Sequence, residues 1–444
     1  MTSTPTSAAP AKVSVRWQSW WMVGVLFFLY TLSILDRIIL TMLVTPIKQD
    51  LLLSDFQMSI ILGPAFAVFY ALFGLPLGWA TDRYPRRWVA FFGVILWSLM
   101  ATASGFARSF AGLLITRIGV GVGEAALSPA AYSLLADEFP RERLTTAISI
   151  YQMAAKFGTA SAFAIGGVAI AFAGHLVTMD IPFVRDAKPW QLVFIMAGLP
   201  GVLAGLLLFT FSEPVRKERG AQVDSAAPAS LIRFLRQHGQ LMTLMIVGFS
   251  AVAVCGYSLT SWVPTYIERH FGWDAAHYGP ILGLVNIVAG LSLLFNGALV
   301  DRIYARGYRD AHLRVFLWLL AGIAPLAFLM FWVESPIAFL IMYGAVQIAT
   351  LPFMVYISSI VSLLAPNRLR GQLNGMFLGI ITVLGMGSGP MLVGGLTDFL
   401  YGDESRIGSS LTIVLIASIT IAFGTLFLAM RRLRPAVEEA LGQG

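Results

Sequence analysis

Long apolar runs without a single acidic or basic side chain dominate this sequence. Nine windows of nineteen residues or more contain no Asp, Glu, Lys or Arg: 56–81, 89–107, 191–212, 237–267, 275–300, 315–333, 335–367, 371–397 and 407–430. A hydrocarbon core about 30 Å thick takes roughly 20 apolar residues per helical crossing. Each window is therefore long enough to span a bilayer.

Three further apolar stretches are interrupted by charged residues. They are residues 17–47, with Asp36 and Arg37, residues 109–136, with Arg117 and Glu124, and residues 144–172, with Lys156. Charged residues make up only 12% of the chain, whereas soluble domains contain about 25%. A transmembrane β-barrel would instead alternate in polarity over segments of about ten residues. We therefore predict an all-α polytopic membrane protein with twelve transmembrane helices.

The distribution of Lys and Arg predicts the orientation of these helices, because short cytoplasmic loops are enriched in both residues. With the N-terminus inside, the cytoplasmic segments contain 21 of the 30 Lys and Arg residues, the opposite loops contain six and the membrane three. We expect a multi-pass protein of the plasma (inner) membrane with both termini cytoplasmic. The net charge of +7 follows from this bias, so we expect no nucleic acid partner.

The longest hydrophilic stretch between helices divides the chain into two halves. We predict a disordered cytoplasmic tail over residues 1–16, an N-terminal six-helix bundle over 17–212, a cytoplasmic linker over 213–240, a C-terminal six-helix bundle over 241–430 and a cytoplasmic tail over 431–444. An internal repeat supports this division. Gly78-(x)3-Asp82-Arg83 after the second helix recurs as Gly297-(x)3-Asp301-Arg302 after the eighth. Parallel repeats with a binding site between the halves are typical of one large class of secondary transporters.

The first copy of this motif, which continues to Arg86-Arg87, resembles the signature between helices two and three of the major facilitator superfamily. Within the superfamily, Leu35-Asp36-Arg37 on helix one and the segment from Arg117 to Ala125 on helix four resemble the spinster-like transporters. The chain is also similar to the anion:cation symporters. The resemblance covers about residues 17–430. It implies the major facilitator fold and a cargo that is either a lysophospholipid or sphingolipid, or a sugar acid or other carboxylate.

The charged residues on helices one and four are the main functional candidates, because ionisable residues at membrane depth cost about 2.5–3.5 kcal/mol each. We predict that Glu124 is the principal proton carrier and that Asp36 is a second titrating or gating acid. Arg37 is predicted to bind the anionic group of the substrate or to pair with the free carboxylate. Arg117 is predicted to tune Glu124 or to attract the anion. The alternative is that these residues form ion pairs that only hold the two helices together.

Polar and amphipathic residues within the C-terminal helices are further candidates. Those that we assign to substrate binding are Tyr257, Trp262, Tyr343 and Gln347. Other residues of this kind fit the membrane interface or hydrogen bonds between helices. Lys156 has two interpretations, a third charge in the cavity or a partner for an acid on helix four.

The loop motif also has two interpretations. Its members form a cytoplasmic gate that latches the two halves, or they belong to the general positive charge of the cytoplasmic loops. The residues concerned are Gly78, Asp82, Arg83, Arg86 and Arg87. Asp82 suits a gate because a carboxylate can cap the positive end of a helix.

Several other activities find no support in the sequence. No Gly-(x)4-Gly-Lys-Ser/Thr loop occurs, which argues against ATP hydrolysis by this chain. The five histidines and one cysteine have no metal-ligand spacing. We therefore expect no metal, no cofactor beyond a proton gradient and no enzymatic activity.

These features together predict a proton-coupled secondary active transporter that works by alternating access. The predicted cargo is an anionic or zwitterionic amphiphile such as a lysophospholipid or a sphingolipid-like molecule. The alternative is a proton-coupled symporter of a small organic anion, such as a carboxylate, a sugar acid or an aromatic acid. Symport and antiport would use the same carboxylates, and sodium could replace the proton, so direction and ion stay open. The expected partners are the lipid bilayer, the proton and the substrate, and we expect a monomer.

Overall fold

Twelve helices long and apolar enough to cross a membrane make up most of the computed structural model, which describes residues 17–179, 186–216, 227–365 and 369–442. These spans are α1 (Trp17–Met42), α2 (Asp55–Arg83), α3 (Arg86–Ser104), α4 (Phe110–Glu138), α5 (Arg143–Thr178), α6 (Pro189–Phe209), α7 (Arg233–Phe271), α8 (Ala275–Ala305), α9 (Ala311–Leu329), α10 (Pro336–Leu364), α11 (Gln372–Tyr401) and α12 (Glu404–Glu438). The prediction of an all-α protein with twelve spans is confirmed.

The fourth span is broken in the middle. It consists of a helix over Phe110–Glu124 and a second helix over Leu127–Glu138. Pro129 has no amide hydrogen, and its ring crowds the carbonyl four residues earlier, at Ala125. Glu124 is therefore the last residue of the first segment, at a point where the helix changes course.

The two halves repeat one packing scheme. In the first bundle α1 packs against α5, and in the second α7 packs against α11; the pairs α3–α6 and α9–α12 correspond in the same way. The bundles meet along α5 with α8 and along α2 with α11. Six spans separate α5 from its counterpart α11, and α2 from its counterpart α8. The two contacts between the bundles are therefore equivalent. The internal sequence repeat is thus matched by a pseudo-twofold arrangement.

Burial distinguishes the two ends of the molecule. We call the side that carries Trp17 and Gly442 the terminal face and the opposite side the far face. One large apolar cluster contains the second bundle together with the far-face half of the first bundle. A second cluster contains the terminal-face half of the first bundle, with Met386 as its buried member from the second bundle among the described residues. The two bundles therefore share a core near the far face and have separate cores near the terminal face.

Close contacts along α8 follow the same gradient. A Cβ on Gly283 would lie 2.9 Å from the Ala160 carbonyl oxygen of α5, and one on Gly290 would lie 3.9 Å from Lys156 Cβ. A Cβ on Gly297, nearer the terminal face, would meet nothing within 4 Å. The helices of the two bundles thus touch at the far face and part towards the terminal face.

The helices extend beyond the predicted bundle limits. The helix that contains α7 begins at Ala227, inside the predicted linker, and the last helix continues to Gly442, through most of the predicted C-terminal tail. Phe234 and Val437 are buried, so apolar contacts prolong both helices where the sequence looked hydrophilic. The predicted N-terminal tail and residues 217–226 of the linker lie outside the described residues.

Candidate functional site

Four charged residues of α1 and α4 form two ion pairs in a crossed arrangement. Arg37 donates to Glu124, and Arg117 Nη1 lies 3.4 Å from Asp36 Oδ2. Adjacent side chains diverge by about 100° around a helix, which lets Asp36 and Arg37 reach different residues of α4. Arg117 and Glu124 are two turns apart, about 10 Å along the axis, and each receives one of them. The structure pairs Glu124 with Arg37, whereas the sequence had offered Arg117 as the residue that tunes it.

The Arg37–Glu124 pair is the accessible one. The Arg37 side chain is 22% exposed and that of Glu124 is 1% exposed. Ser33 Oγ donates to Glu124 Oε2 at 2.6 Å, and Arg37 Cζ lies 4.0 Å from the centroid of the Phe66 ring. Glu124 Oε1 and Arg37 Nε have no hydrogen-bond partner among the described residues, and the same holds for Asp36 Oδ1 and Arg117 Nε of the second pair. Exposure, and not the number of unused hydrogen-bonding groups, therefore distinguishes the two pairs.

The Asp36–Arg117 pair is sealed. The two side chains are 3% and 2% exposed. Arg117 Nη2 donates to Ser104 Oγ of α3 at 2.9 Å, and Arg117 Cζ lies 4.7 Å from the centroid of the Phe194 ring of α6. Ser104 in turn donates to Thr116 at 2.9 Å. This pair joins four helices of the first bundle.

Glycine brings α4 close enough for Glu124 to reach α1. A Cβ on Gly121 would lie 2.8 Å from the Phe66 carbonyl oxygen of α2, and one on Gly123 would lie 2.5 Å from the Trp97 amide nitrogen of α3. A larger residue at either position would push α4 outwards. The glycines before Glu124 therefore fix the depth of its carboxylate.

Tyr257 of α7 is the C-terminal candidate that faces the charged residues. It is half-buried and packs against the apolar clusters of both bundles. Its hydroxyl forms a hydrogen bond with Thr382 of α11, within its own bundle, and also lies within electrostatic range of Arg37 and Tyr70. The structure thus brings Tyr257 together with the accessible ion pair.

The polar groups of the other three C-terminal candidates bond within their own bundle. Trp262 is fully buried and donates its indole N–H to the Pro390 carbonyl at 3.0 Å. Gln347 Nε2 donates to the Tyr343 hydroxyl at 2.8 Å, and both side chains are buried. These contacts hold α7 to α11 and stiffen α10, and they do not bring the three residues to the charged pairs.

A network of four charged residues joins the two bundles at the far face. Lys48, in a short helix over Val44–Leu51, lies 2.6 Å from Asp55 Oδ1 and 2.6 Å from Glu404 Oε1. Arg269 binds both oxygens of Asp55, at 2.7 and 2.8 Å. Asp55 is fully buried, whereas the Glu404 side chain is 59% exposed. We call these four residues the far-face network; each bundle contributes two of them.

Further hydrogen bonds reinforce this contact. Thr45 donates to Glu268, and the Phe56 amide donates to Asp398 at 2.6 Å. Throughout the described ranges, the hydrogen bonds and ion pairs that join the bundles lie at the far face. Sequence reasoning missed the whole set, because its members lie at helix ends that are up to several hundred residues apart.

Arg86 of the loop motif lies at the centre of a cluster at the terminal face. It is 1% exposed and donates to Asp137 at the end of α4, to the Pro214 carbonyl, and through Nε to Glu213 Oε1 at 3.1 Å. Burial raises the pKa of Glu213, but the hydrogen bonds from the backbone and guanidinium of Arg86 outweigh it and lower this pKa below its ordinary value. Arg87 adds a hydrogen bond to the Phe211 carbonyl at 2.6 Å. Both arginines bind the end of α6 within the first bundle.

The remaining motif residues lie apart from this cluster. Asp82 and Arg83 are exposed, and Arg83 Cζ lies 4.1 Å from the centroid of the Trp79 ring. A Cβ on Gly78 would meet nothing within 4 Å. In this conformation, therefore, the described contacts of the motif do not reach the second bundle.

Lys156 does not pair with an acid of α4. It is half-buried on α5 and has no hydrogen bond or ion pair to any described residue. The described contacts do not support the predicted pairing with an acid of α4, and a third charge in the cavity stays a prediction.

Residues that could hold a metal ion are not grouped within the part of the chain that the structure describes. No cluster of three or more His, Cys, Asp or Glu side chains occurs among the described ranges.

Comparison with known proteins places the architecture in context. The sequence profile of the Major Facilitator Superfamily matches residues 26–390. An MFS-type efflux pump of Mycolicibacterium smegmatis is 28% identical over 429 residues, which cover 95% of each chain. A hexuronate transporter of Bacillus subtilis is 28% identical over 295 residues, 64% of this chain and 65% of its own.

One solved structure is similar over nearly the whole chain. It is a bacterial homologue of the human lysosomal transporter Spinster in an inward-facing, unoccupied conformation, with a TM-score of 0.79 and 24% identity. The match covers 97% of this chain and 99% of that one. Because the identity is only 24%, this similarity shows the fold alone.

Proposed function

The chain belongs to the Major Facilitator Superfamily, and on that premise we propose that it is a proton-coupled secondary active transporter for an anionic or zwitterionic amphiphile of the lysophospholipid or sphingolipid-like kind. The observation that carries this proposal is the Arg37–Glu124 pair. Its arginine is 22% exposed while its carboxylate is 1% exposed. An ion pair at membrane depth whose cation stays accessible suits exchange of partners better than a purely structural role.

Proton and substrate are linked because both act on the same arginine. A substrate anion that binds Arg37 competes with Glu124 for the guanidinium. A buried carboxylate that loses its cation is strongly disfavoured, so Glu124 takes up a proton when the anion binds. Protonation of Glu124 in turn frees Arg37 for the anion. Asp36, sealed against Arg117, is then the second acid, with a gating role.

Alternating access follows from the asymmetry of the bundle contacts. The far-face network closes one end, while the cores of the bundles separate towards the other. The excess of Lys and Arg on the terminal face favours a cytoplasmic location for that face. We therefore assign the protein to the inner membrane, with both termini cytoplasmic, in an inward-open conformation. Closure of that side by the loop motif would accompany rupture of the far-face network.

Aromatic residues around Arg37 favour an amphiphile as cargo. The Phe66 and Tyr70 rings stack with centroids 5.4 Å apart, and Arg37 lies over the first of them. An anionic head group at Arg37 with apolar groups against these rings matches the chemistry of a lysolipid. A small organic anion is the second candidate, and the similarity to a hexuronate transporter favours it.

The test is proton movement in proteoliposomes that contain a pH-sensitive dye. The substrates offered are a series of lysophospholipids and a series of hexuronates and other carboxylates. We expect a substrate-dependent pH change in the wild type and none in the Glu124→Gln variant. Glu334→Gln, which neutralises an exposed carboxylate in the α9–α10 loop, is the matched control and should behave like the wild type.

Each outcome of this assay has a distinct meaning. A signal with carboxylates alone would select the second candidate. A signal that persists in Glu124→Gln would transfer the proton site to another acid, with Asp36 first. Substrate uptake without any proton movement would contradict proton coupling, and conversion of a substrate into a product would contradict transport as the main activity.

A further inference from the structure

Lys156 is the one charged residue at mid-membrane that the proposed coupling scheme does not use. Asp36, Arg37, Arg117 and Glu124 are all paired. Lys156 has neither a hydrogen bond nor an ion pair to any described residue. An unpaired ammonium inside a membrane protein is costly, and such residues face the interior of the bundle or an aqueous path. None of the described residues supplies a partner for Lys156, so we look for its ligand outside the described chain.

The face of α5 that carries Lys156 is directed at the other bundle. Ala160, Phe163 and Gly167 contact α8 at Gly283, Gly279 and Ala275 in turn. Lys156 continues this series by one turn, and residues spaced by three and four lie on one side of a helix. Its Cβ lies 3.9 Å from the place of a Cβ on Gly290. Lys156 is thus located where α5 and α8 begin to part.

The depth of Lys156 follows from the contacts of α5 with α1. Gly158 lies against Thr31 and Ile34, and Gly166 lies against Met42. These two contacts between α1 and α5 put Arg37 at the level of the residues that lie six or seven positions after Lys156. At 1.5 Å per residue the two cations are about 10 Å apart along the membrane normal. Lys156 is the one nearer the terminal face.

Neither lipid head groups nor surface water explain this lysine. It lies thirteen residues after Arg143, the first residue of α5, or about 20 Å along the axis. That distance exceeds the reach of a lysine side chain. Met153 and Phe157, its neighbours on the helix, are large apolar side chains that are 63% and 57% exposed.

We propose that Lys156 is an anion-binding residue of the transport path, which contacts the carboxylate or phosphate of the substrate before that group reaches Arg37. The inference rests on the proposed function, because it requires a substrate with an anionic group. The two cations, one behind the other along the path from the open side, would attract the anion and pass it inwards. Lys156 would thereby select charged cargo over neutral cargo of the same size.

The experiment measures binding to the purified full-length protein in detergent. The anionic probes are lysophosphatidylglycerol and galacturonate, and their neutral comparators are monoacylglycerol and galactose. The variants are Lys156→Met and Lys156→Arg. Lys188→Met is the matched control, since it removes a lysine that is 59% exposed and lies 3.6 Å from Asp50, outside the helices of the path.

Loss of a hydrogen bond to a charged group predicts a rise of about tenfold or more in the Kd of the anionic probe for Lys156→Met. The Kd of the neutral comparator should not change, and Lys156→Arg should recover most of the affinity. The probe that loses affinity identifies the source of the anion, a lipid phosphate or a sugar carboxylate. Lys188→Met should bind both probes like the wild type.

Two results of the binding assay would overturn the inference, and they differ in what they mean for the proposed function. If the wild type prefers the anionic probe and Lys156→Met prefers it equally, Lys156 has no role in binding but the proposed function stands. If the wild type prefers neither anionic probe over its comparator, the anionic cargo and the role of Lys156 are both wrong.

Thermal unfolding separates a binding role from a structural one. Because Lys156 has no partner in the described chain, Lys156→Met should melt at the same temperature as the wild type or higher. A clear fall in melting temperature in both Lys156→Met and Lys156→Arg would show that the lysine supports the fold, and would contradict the inference.

Discussion

The two ion pairs between α1 and α4 use the same residue types on the same helices, yet their surroundings differ. Arg37 keeps an exposed fraction of 22%, whereas Arg117 keeps 2%. Arg117 also has a hydroxyl and an aromatic ring from two further helices as neighbours. The guanidinium of Arg37 lies over the Phe66 ring of α2. Tyr257 of the opposite bundle lies within electrostatic range of it. Two arginine–carboxylate pairs on the same helices thus differ in how far the arginine is exposed to groups outside its own bundle.

This difference explains why a chain retains two costly ion pairs side by side. The sealed pair has its partners within one bundle, so it need not change when the bundles move. The accessible pair borders the other bundle and the open side, so its partner can be replaced. Substitutions that unbalance one pair and not the other test this division.

The largest effect is expected for Arg117→Met. This variant leaves the Asp36 carboxylate buried without its cation, which costs about 3–5 kcal/mol in comparable sites. We expect a clear fall in the melting temperature of the purified protein in detergent. The double variant Asp36→Asn with Arg117→Met should recover much of the loss. Equal stability of Arg117→Met and the wild type would mean that the sealed pair has no structural role.

Arg37→Met should affect binding more than stability. Hydrogen bonds to charged groups contribute about 1.5–3 kcal/mol, so the Kd of the anionic substrate should rise by about one to two orders of magnitude. The melting temperature should fall less than in Arg117→Met, because Arg117 also binds Ser104 and packs on Phe194, whereas the Arg37 side chain is already 22% exposed. Arg108→Met, which removes an exposed arginine in the α3–α4 loop, is the control. Unchanged affinity in Arg37→Met would place the anion elsewhere.

Glu124→Gln should abolish accumulation against a gradient while leaving exchange partly intact. Each pH unit adds about 1.4 kcal/mol of driving force per coupled proton, and the amide cannot carry that proton. Accumulation is measured with an imposed pH difference and exchange at equal pH. Loss of accumulation in a stable Asp36→Asn variant, with Glu124→Gln active, would reverse the roles of the two pairs.

The smallest effect is expected for Ser104→Ala, which removes the hydroxyl that accepts from Arg117 at 2.9 Å. The free energy of unfolding should fall by about 1 kcal/mol. Ser98→Ala on the same helix is the matched control, since its buried hydroxyl has no hydrogen-bond partner among the described residues. If both variants lose the same stability, the hydrogen bond to Arg117 contributes nothing measurable.

The sequence predicted the helices well because span length and charge are local properties. Even the three runs with internal charges were correctly assigned, since the charges are few and the flanking residues are apolar. The pairing of those charges was harder. Arg117 and Glu124 share a face of α4, which suggested that they act on each other, but two turns separate them and α1 supplies nearer partners.

Contacts between residues far apart in the sequence could not be predicted either, because they depend on how the helices pack. Trp262 and Tyr343 look like binding residues because each combines a ring with a polar group. The structure shows each polar group bonded to a neighbour on α11 or α10. Lys48, Asp55 and Arg269 gave no local signal at all, because charged residues at helix ends are common and only tertiary packing brings these together.

The far-face network also makes the resting conformation sensitive to ionic strength. Its Glu404 arm is 59% exposed, and dissolved ions screen such contacts over about 8 Å at 0.15 M salt. Its Asp55 arm is fully buried and keeps its attraction. Raising the salt concentration on the far-face side should therefore weaken one half of the closure and leave the other half intact. With that face outside the cell, as we propose, the salt concentration of the medium would influence how often the bundles open there.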